Sequence, residues 1–377
     1  MAARRLIVDV HTHVYLPRYA NLLRSRTSVP RIVSAANNED SERLLILDHE
    51  PSGGRPVGAQ YWQRDEKLKF MDMHGISMSI VSSANPWLDF LPASEASKIA
   101  LELNQDLEDY CETSPNLNGT RLQRLYGFGL LPLVPEITTS TLLETVQQIS
   151  QLPHLKGLIM GTKGVGKGLD DPALDPVWAA IERAKLTVFL HPHYGVGGNP
   201  WGEVENGHVL PLALGFPFET TIAITRLILS GALDRFPSLR ILLAHSGGAL
   251  PQLSSRLASC IHHDPLVASR LNHDARYYIG RLYYDAVAYG SEELEFVSSA
   301  IGRAINYSPD GKSAVDIGSR RMMFGTDHPF FPPLSATEKW PSVTENLDAI
   351  EGVQTWSDGE KDGVLGGNAL TLFDLQE

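Results

Sequence analysis

Little in this chain points to disulfide chemistry or to a polyanionic partner. Of 377 residues only Cys111 and Cys260 are cysteines, too few for a disulfide framework, so a reducing compartment is the simpler setting. Lys and Arg number 32 against 44 Asp and Glu, a net charge of −12 with no basic run. That balance argues against nucleic acid and against an anionic membrane as partners. It does not exclude a small anionic substrate, because a few local cations and a metal can dominate a pocket. No apolar run approaches the roughly 18 residues of a membrane span. Where a signal peptide would carry its apolar core, the chain has Asp9, His11 and His13, and a soluble cytoplasmic protein is expected. No internal repeat of about 20–50 residues is visible. With 43% hydrophobic and 20% charged residues there is ample material for a large core, and 1–377 is expected to form a single domain.

What is present is a strand–helix alternation. Short apolar, β-branched runs predict eight strands, at 4–10, 76–82, 125–131, 155–160, 186–190, 239–244, 282–286 and 321–325. Helices are expected over 60–74, 94–113, 137–151, 174–184, 218–233, 249–262 and 291–304. Residues 14–57 interrupt the alternation as an inserted lid with a strand or hairpin near 43–47; 305–318 reads as a surface insertion, and 342–377 supplies closing helices. Eight alternations imply a parallel sheet closed into a (β/α)8 TIM barrel. The alternative, an open doubly wound sheet, would place a glycine-rich turn after strand one, where His11-Thr12-His13 stands instead.

In such a barrel the loops that follow the strands share one mouth, and active sites lie there. The polar residues at strand ends are His11 and His13, Asn85, His191 and His193, His245, and Asp327. Side chains two apart on a strand point the same way, so His11 and His13 project together. Three imidazoles and a carboxylate make a mononuclear site with room for water or substrate, suited to Zn2+, with Mn2+ as the other option. The ligands assigned are His11, His13, His191 and Asp327. His193 lies two residues from His191, so either or both can ligate; His191 is taken as the ligand, with His193 lining the pocket or orienting a neighbour. His245 stays free of metal in this assignment, with an ordinary pKa near neutrality that suits an acid, a base or a polarising group. The lesser alternative for the turn His245-Ser246-Gly247-Gly248 is a helix cap with a structural histidine. His328 should point away from Asp327. The glycine-rich loop 161–168 lacks phosphate-cradle order, because Lys167 is followed by Gly168. Strand four ends Met160-Gly161-Thr162, with Lys163 beyond its end, so no lysine is placed to bridge two metals and one metal is expected.

The ordered motifs Asp9-Val10-His11-Thr12-His13, Phe189-Leu190-His191-Pro192, Leu243-Ala244-His245-Ser246-Gly247-Gly248 and Phe324-Gly325-Thr326-Asp327-His328-Pro329 resemble the amidohydrolase superfamily. The likeness is to its metal-dependent, non-oxidative decarboxylases, among them the aminocarboxymuconate-semialdehyde, γ-resorcylate and 5-carboxyvanillate decarboxylases. Stretches outside the ligand core, such as Ser83-Ala84-Asn85-Pro86-Trp87, His191-Pro192-His193-Tyr194-Gly195 and Asp327-His328-Pro329-Phe330-Phe331-Pro332-Pro333, are similar to the fungal uracil-5-carboxylate (isoorotate) decarboxylases of thymidine salvage. The resemblance implies zinc on His11, His13, His191 and Asp327, and a pyrimidine pocket built from Asn85, His245, Phe330 and Arg55. It further implies a homodimer in which Arg256 matches a position that reaches the neighbouring subunit's site. The implied reaction has the substrate chelate the metal through its carboxylate and 4-oxo group, Asp327 protonate C5 with help from His245, and carbon dioxide leave. Other carboxylated rings, a muconate semialdehyde, a hydrolase using metal-bound water on the same barrel, and a non-catalytic metal-binding protein are the rival readings.

Overall fold

The computed structural model describes residues 5–35, 38–48, 50, 53–195, 200–204, 206–308, 318–333, 335 and 338–375. Its strands in chain order are β1 (Val8–Val14), β2 (Arg31–Ala35), β3 (Asn38–Leu45), β4 (Arg55–Val57), β5 (Met78–Ser83), β6 (Leu125–Leu130), β7 (Leu155–Met160), β8 (Thr187–Leu190), β9 (Arg240–Leu243), β10 (Tyr283–Asp285) and β11 (Met322–Met323). Eight of them form one parallel sheet in the order β1-β5-β6-β7-β8-β9-β10-β11. The first and last strands then meet: Val10 N–H donates to Phe324 O at 3.0 Å, Asp327 N–H to His11 O at 2.8 Å, and His13 N–H to His328 O at 2.7 Å. These bonds close the sheet into the expected TIM barrel, with a seam between β1 and β11.

Alternation along the strands fills both faces. Ile80, Phe128, Ile159, Phe189, Leu242 and Met323 belong to the interior layer, while Val81, Leu158, Val188, Ile241 and Met322 pack under the surrounding helices. The C-terminal helix Asn368–Leu372 adds to the interior layer, and Phe373 sits 5.7 Å from the Phe128 ring. Helix Arg64–His74 stops at Gly75, whose φ of 72° is a left-handed conformation that glycine adopts without strain.

Several boundaries differ from the sequence expectation. Strand one runs Val8–Val14 rather than 4–10, and residue 4 lies outside the described residues, so His11 and His13 are inside the strand rather than beyond its end. The pairing of β1 with β5 shifts register between Asp9 and Thr12, a bulge-like irregularity that re-aims this strand. Helix 60–74 is split at Gln63 into Ala59–Trp62 and Arg64–His74. Strand eight shrinks to two residues. The insertion 14–57 is a helix, Pro17–Ser25, followed by the antiparallel sheet β2-β3-β4. The surface insertion expected at 305–318 lies mostly outside the described residues. Among the described residues one helix, Pro211–Leu229, is long and apolar enough to cross a membrane by length and composition, but Glu219 and Arg226 interrupt it and half of it is buried within the protein.

Candidate metal centre

Five side chains from four strand ends converge at the barrel mouth. His11 and His13 come from β1, His191 follows β8, His245 follows β9, and Asp327 stands four residues past β11. The Asp327 carboxylate is 3.3 Å from His11 Nε2, 3.4 Å from His13 Nε2 and 3.7 Å from His245 Nε2. The His191 ring lies 4.9 Å from that of His13, 5.1 Å from that of His11 and 5.3 Å from that of His245. Ligand atoms of His11, His191, His245 and Asp327 fall within 4.8 Å of one another, so His245, read from sequence as metal-free, also stands within reach of a central ion.

The opposite edges of the three assigned imidazoles are spoken for. His11 Nδ1 pairs with Asp285 Oδ2 at 2.6 Å, His13 Nδ1 with Ser82 Oγ at 3.0 Å, and His191 Nδ1 with Pro192 O at 2.8 Å. Their Nε2 atoms are buried; those of His11 and His13 face only the Asp327 carboxylate, too loosely for a well-formed hydrogen bond, and that of His191 has no partner. A buried nitrogen left unpaired is costly, and three aimed at one carboxylate are explained together by a shared cation. The donor set fits a divalent metal.

Electrostatics agree. Burial opposes a charge on His11, but the Asp327 charge and hydrogen bonds to Asp285 and Asp327 raise its imidazole to about 10. Burial lowers His13 to about 4, and burial with the neighbouring imidazoles holds His191 well below its usual range. Asp327 is buried too, which favours the acid; the His11 charge and bonds from His11, His13 and His245 nonetheless hold it well below the usual carboxylate range. The proton that His11 holds lies between two carboxylates, where a divalent ion would displace it, while His13 and His191 favour neutral rings with a lone pair to offer.

Above this cluster lies a cavity of about 370 Å³, lined by His191, Asp327, Asn85, Arg55, Phe330 and Tyr61 among others. Arg55, on β4 of the insertion, has its guanidinium carbon 5.7 Å from the Phe330 ring and its Nε 3.5 Å from Glu50. The Asn85 amide donates to His193 O, and Tyr15 OH donates to Asn85 O. A larger hollow of about 1090 Å³ adjoins on the His245 side. His193 does not line the pocket. It turns its Nε2 to Asp89 at 2.8 Å, and its ring meets Trp87. Arg256, expected to reach a neighbouring subunit's site, is exposed on the helix Leu250–His262. Lys163 lies over the Tyr194 ring at 4.2 Å rather than in the metal cluster.

Three supporting groups escaped the sequence reading. Asp285 ends β10 and accepts from His11 Nδ1, His245 N–H, Ser246 N–H and Val287 N–H. This carboxylate fixes the His11 tautomer and holds His245 and Ser246 at φ of 53° and 52°; its position at a strand end was the signal that could have found it. Glu219, on the helix Phe216–Leu229, accepts from the backbone N–H groups of His193, Tyr194 and Gly195 and so anchors the loop after β8. Lys67 is buried beside the seam, and nothing in its helical context, Arg64-Asp65-Glu66-Lys67-Leu68-Lys69, distinguishes it from a solvated lysine.

Comparison with known proteins gives consistent matches. Residues 8–302 match the protein-family profile described as Amidohydrolase. The chain is 27% identical over 373 residues to 2-amino-3-carboxymuconate-6-semialdehyde decarboxylase of Dictyostelium discoideum, covering 99% of this chain and 92% of that protein. It is 29% identical over 345 residues to gamma-resorcylate decarboxylase of a Rhizobium species, covering 85% and 92%. Among solved structures, the apo form of the Metarhizium anisopliae IDCase superposes with a TM-score of 0.86 at 39% identity, covering 99% of this chain and 98% of that one.

Proposed function

The chain belongs to the amidohydrolase family, among its metal-dependent decarboxylases, and on that premise we propose that it converts uracil-5-carboxylate to uracil and carbon dioxide. The observation that carries this reading is a coincidence of place: Asp327 and His191 floor the same cavity whose walls hold Arg55, Asn85 and Phe330. A volume of about 370 Å³ suits a single-ring substrate. The 39% identity to an IDCase along almost the whole chain supports a pyrimidine over a benzoate.

His11, His13, His191 and Asp327 would hold the metal, which we take to be zinc, and His245 stands beside them. A bound divalent metal supplies a fixed positive charge and Lewis acidity toward the substrate's carboxylate and adjacent oxygen. Phe330 flanks the ring. Arg55 and Asn85 meet its polar edge, where a misfit contact costs about 1–3 kcal/mol. Asp327 delivers a proton to C5 and His245, 3.7 Å away, resupplies it; the bond from the now tetrahedral C5 to the carboxylate then breaks, carbon dioxide leaves, and the released electron pair restores the ring double bond at C5. Direct use of Asp327 as acid distinguishes this from a hydrolase, where the same carboxylate would activate water.

The test is turnover of the metal-loaded protein on uracil-5-carboxylate, followed by ultraviolet loss and carbon dioxide release. Orotate, γ-resorcylate, 5-carboxyvanillate and aminocarboxymuconate semialdehyde serve as comparators. A higher kcat/KM on any comparator overturns the substrate assignment.

A further inference from the structure

Lys67 stands on the helix Arg64–His74, outside the strand layer, yet it has no exposed surface. Its Nζ reaches the barrel seam, 2.7 Å from Thr12 Oγ1 and 2.6 Å from His328 Nδ1. Thr12 separates His11 from His13, and His328 follows Asp327. Burial pulls the Lys67 amine down to about 7 against the Asp9 charge; as an ammonium it only donates, and His328 Nδ1 is then the acceptor with the ring proton on Nε2. That ring is held on its other sides by Phe70, stacked at 3.7 Å, and Trp340, at 4.6 Å. Thr12 Oγ1 in turn donates to His328 O at 3.2 Å. Asp9 provides the neighbouring negative charge, and it also accepts from Thr326 N–H, Thr326 Oγ1 and His11 N–H.

A buried lysine persists only where it is paired. An apolar side chain of the same length would fill the space without that demand. What the ammonium adds is two directed donors, one to each side of the seam, at the point where β11 is only two residues long and its own ladder is weak. The geometry points to Lys67 as a positioning residue that sets the Asp327 carboxylate against the His11–His13 pair by tying together the segments that carry them. The inference rests on Asp327 being both ligand and proton donor.

The experiment compares Lys67→Met with His328→Phe, which removes the acceptor but keeps the stack on Phe70, and with His328→Asn, which restores an acceptor. Zn2+-loaded proteins are challenged with a chelator, and Co2+-substituted proteins are read by their d–d absorption. K67M and H328F each release zinc about 10-fold faster or more, a loss typical of removing support behind a ligand, and both alter the cobalt bands. In each, kcat on uracil-5-carboxylate falls about 10-fold or more while KM moves less than about 3-fold, as expected when an interaction serving only the chemical step is lost. H328N recovers most of the H328F loss, and the K67M/H328F double variant is no worse than either single one. Wild-type zinc release and wild-type cobalt bands in K67M, or losses that multiply in the double variant, overturn the inference. Should K67M not fold, H328F against H328N tests the same link from its other end. Inactivity of the wild-type protein on uracil-5-carboxylate would sink the substrate reading alone, because zinc release and the cobalt spectrum do not depend on substrate.

Discussion

Asp327 is surrounded by three imidazoles that keep it ionised, yet the proposed reaction needs it to give a proton to carbon. The proton therefore has to arrive at the moment the substrate's own negative charge enters the cavity and weakens that stabilisation, and His245 is placed to pass it on. Asp327→Asn keeps the shape but can neither ligate as an anion nor cycle a proton. Turnover should fall by about 10³-fold or more with melting behaviour preserved, measured as carbon dioxide release per active site. A variant that still turned over near the wild-type rate would end the proton-donor role. Asp285→Asn tests the layer behind. Asparagine can still accept from His11 Nδ1 but no longer offers a charge, and its amide hydrogens face the N–H groups of His245 or Ser246. Metal affinity should drop about 10- to 100-fold, read by competition with a chelating dye. The residues that converge at the barrel mouth were legible in the sequence because each is a His or Asp that follows an apolar run. Asp285 and Lys67 were not, for a physical reason: their roles depend on partners 274 and 261 residues away, and no local pattern encodes that distance.

Elements were legible in proportion to how much of their stability is local. Strand β7 matches its expected span residue for residue, 155–160, since its mostly apolar run, broken only by the half-buried Lys156, is bounded by Pro153 on one side and Gly161 on the other. The helix Thr139–Gln151 starts at Thr138, whose hydroxyl accepts from Thr141 N–H, a cap visible in sequence. Strand eight was overestimated because its residues past Met323 leave the ladder to build the seam and the metal cluster. The sheet β2-β3-β4 was mostly missed because its residues are polar and its stability comes from packing on the barrel mouth. Helix Arg64–His74 carries a prediction of its own. His74 ends it, Trp340 N–H donates to its Nε2 at 3.3 Å, and burial, with the Lys339 charge, lowers its imidazole to about 4. Its unfolded value is near 6.5, so the unfolded chain binds the proton more tightly. This contribution to stability is complete above pH 6.5 and is lost as the pH falls toward 4, up to about 3 kcal/mol. His74→Gln keeps an acceptor without titrating. Urea unfolding of the two chelator-treated proteins at pH 4.5 and 7 should show a steeper loss for wild type; equal losses would mean His74 does not link the helix to the closing tail in this way.

For the molecule as a whole, the metal would be more than a catalytic part. Its assigned ligands come from β1, from the end of β8 and from the segment after β11, so one ion ties the two sides of the seam to the far side of the barrel. The seam is also the place where the sheet is thinnest in backbone pairing, with β10 and β11 three and two residues long. A ligand that binds only the folded state stabilises it by the logarithm of its excess over Kd, about 2.7 kcal/mol at 100-fold and 4.1 kcal/mol at 1,000-fold. For a chain of 377 residues this corresponds to roughly 3–5 °C in melting temperature. Stripping the metal with a chelator should therefore lower Tm by about that much, and adding back Zn2+ should restore it in a concentration-dependent way. Asp327→Ala should respond far less than wild type, because the variant loses the one anionic ligand and leaves His11 paired with Asp285 alone. If wild type and Asp327→Ala shift equally on chelation, the stabilising ion is bound elsewhere, and the convergence of three imidazole nitrogens on one carboxylate at the barrel mouth would need a different explanation.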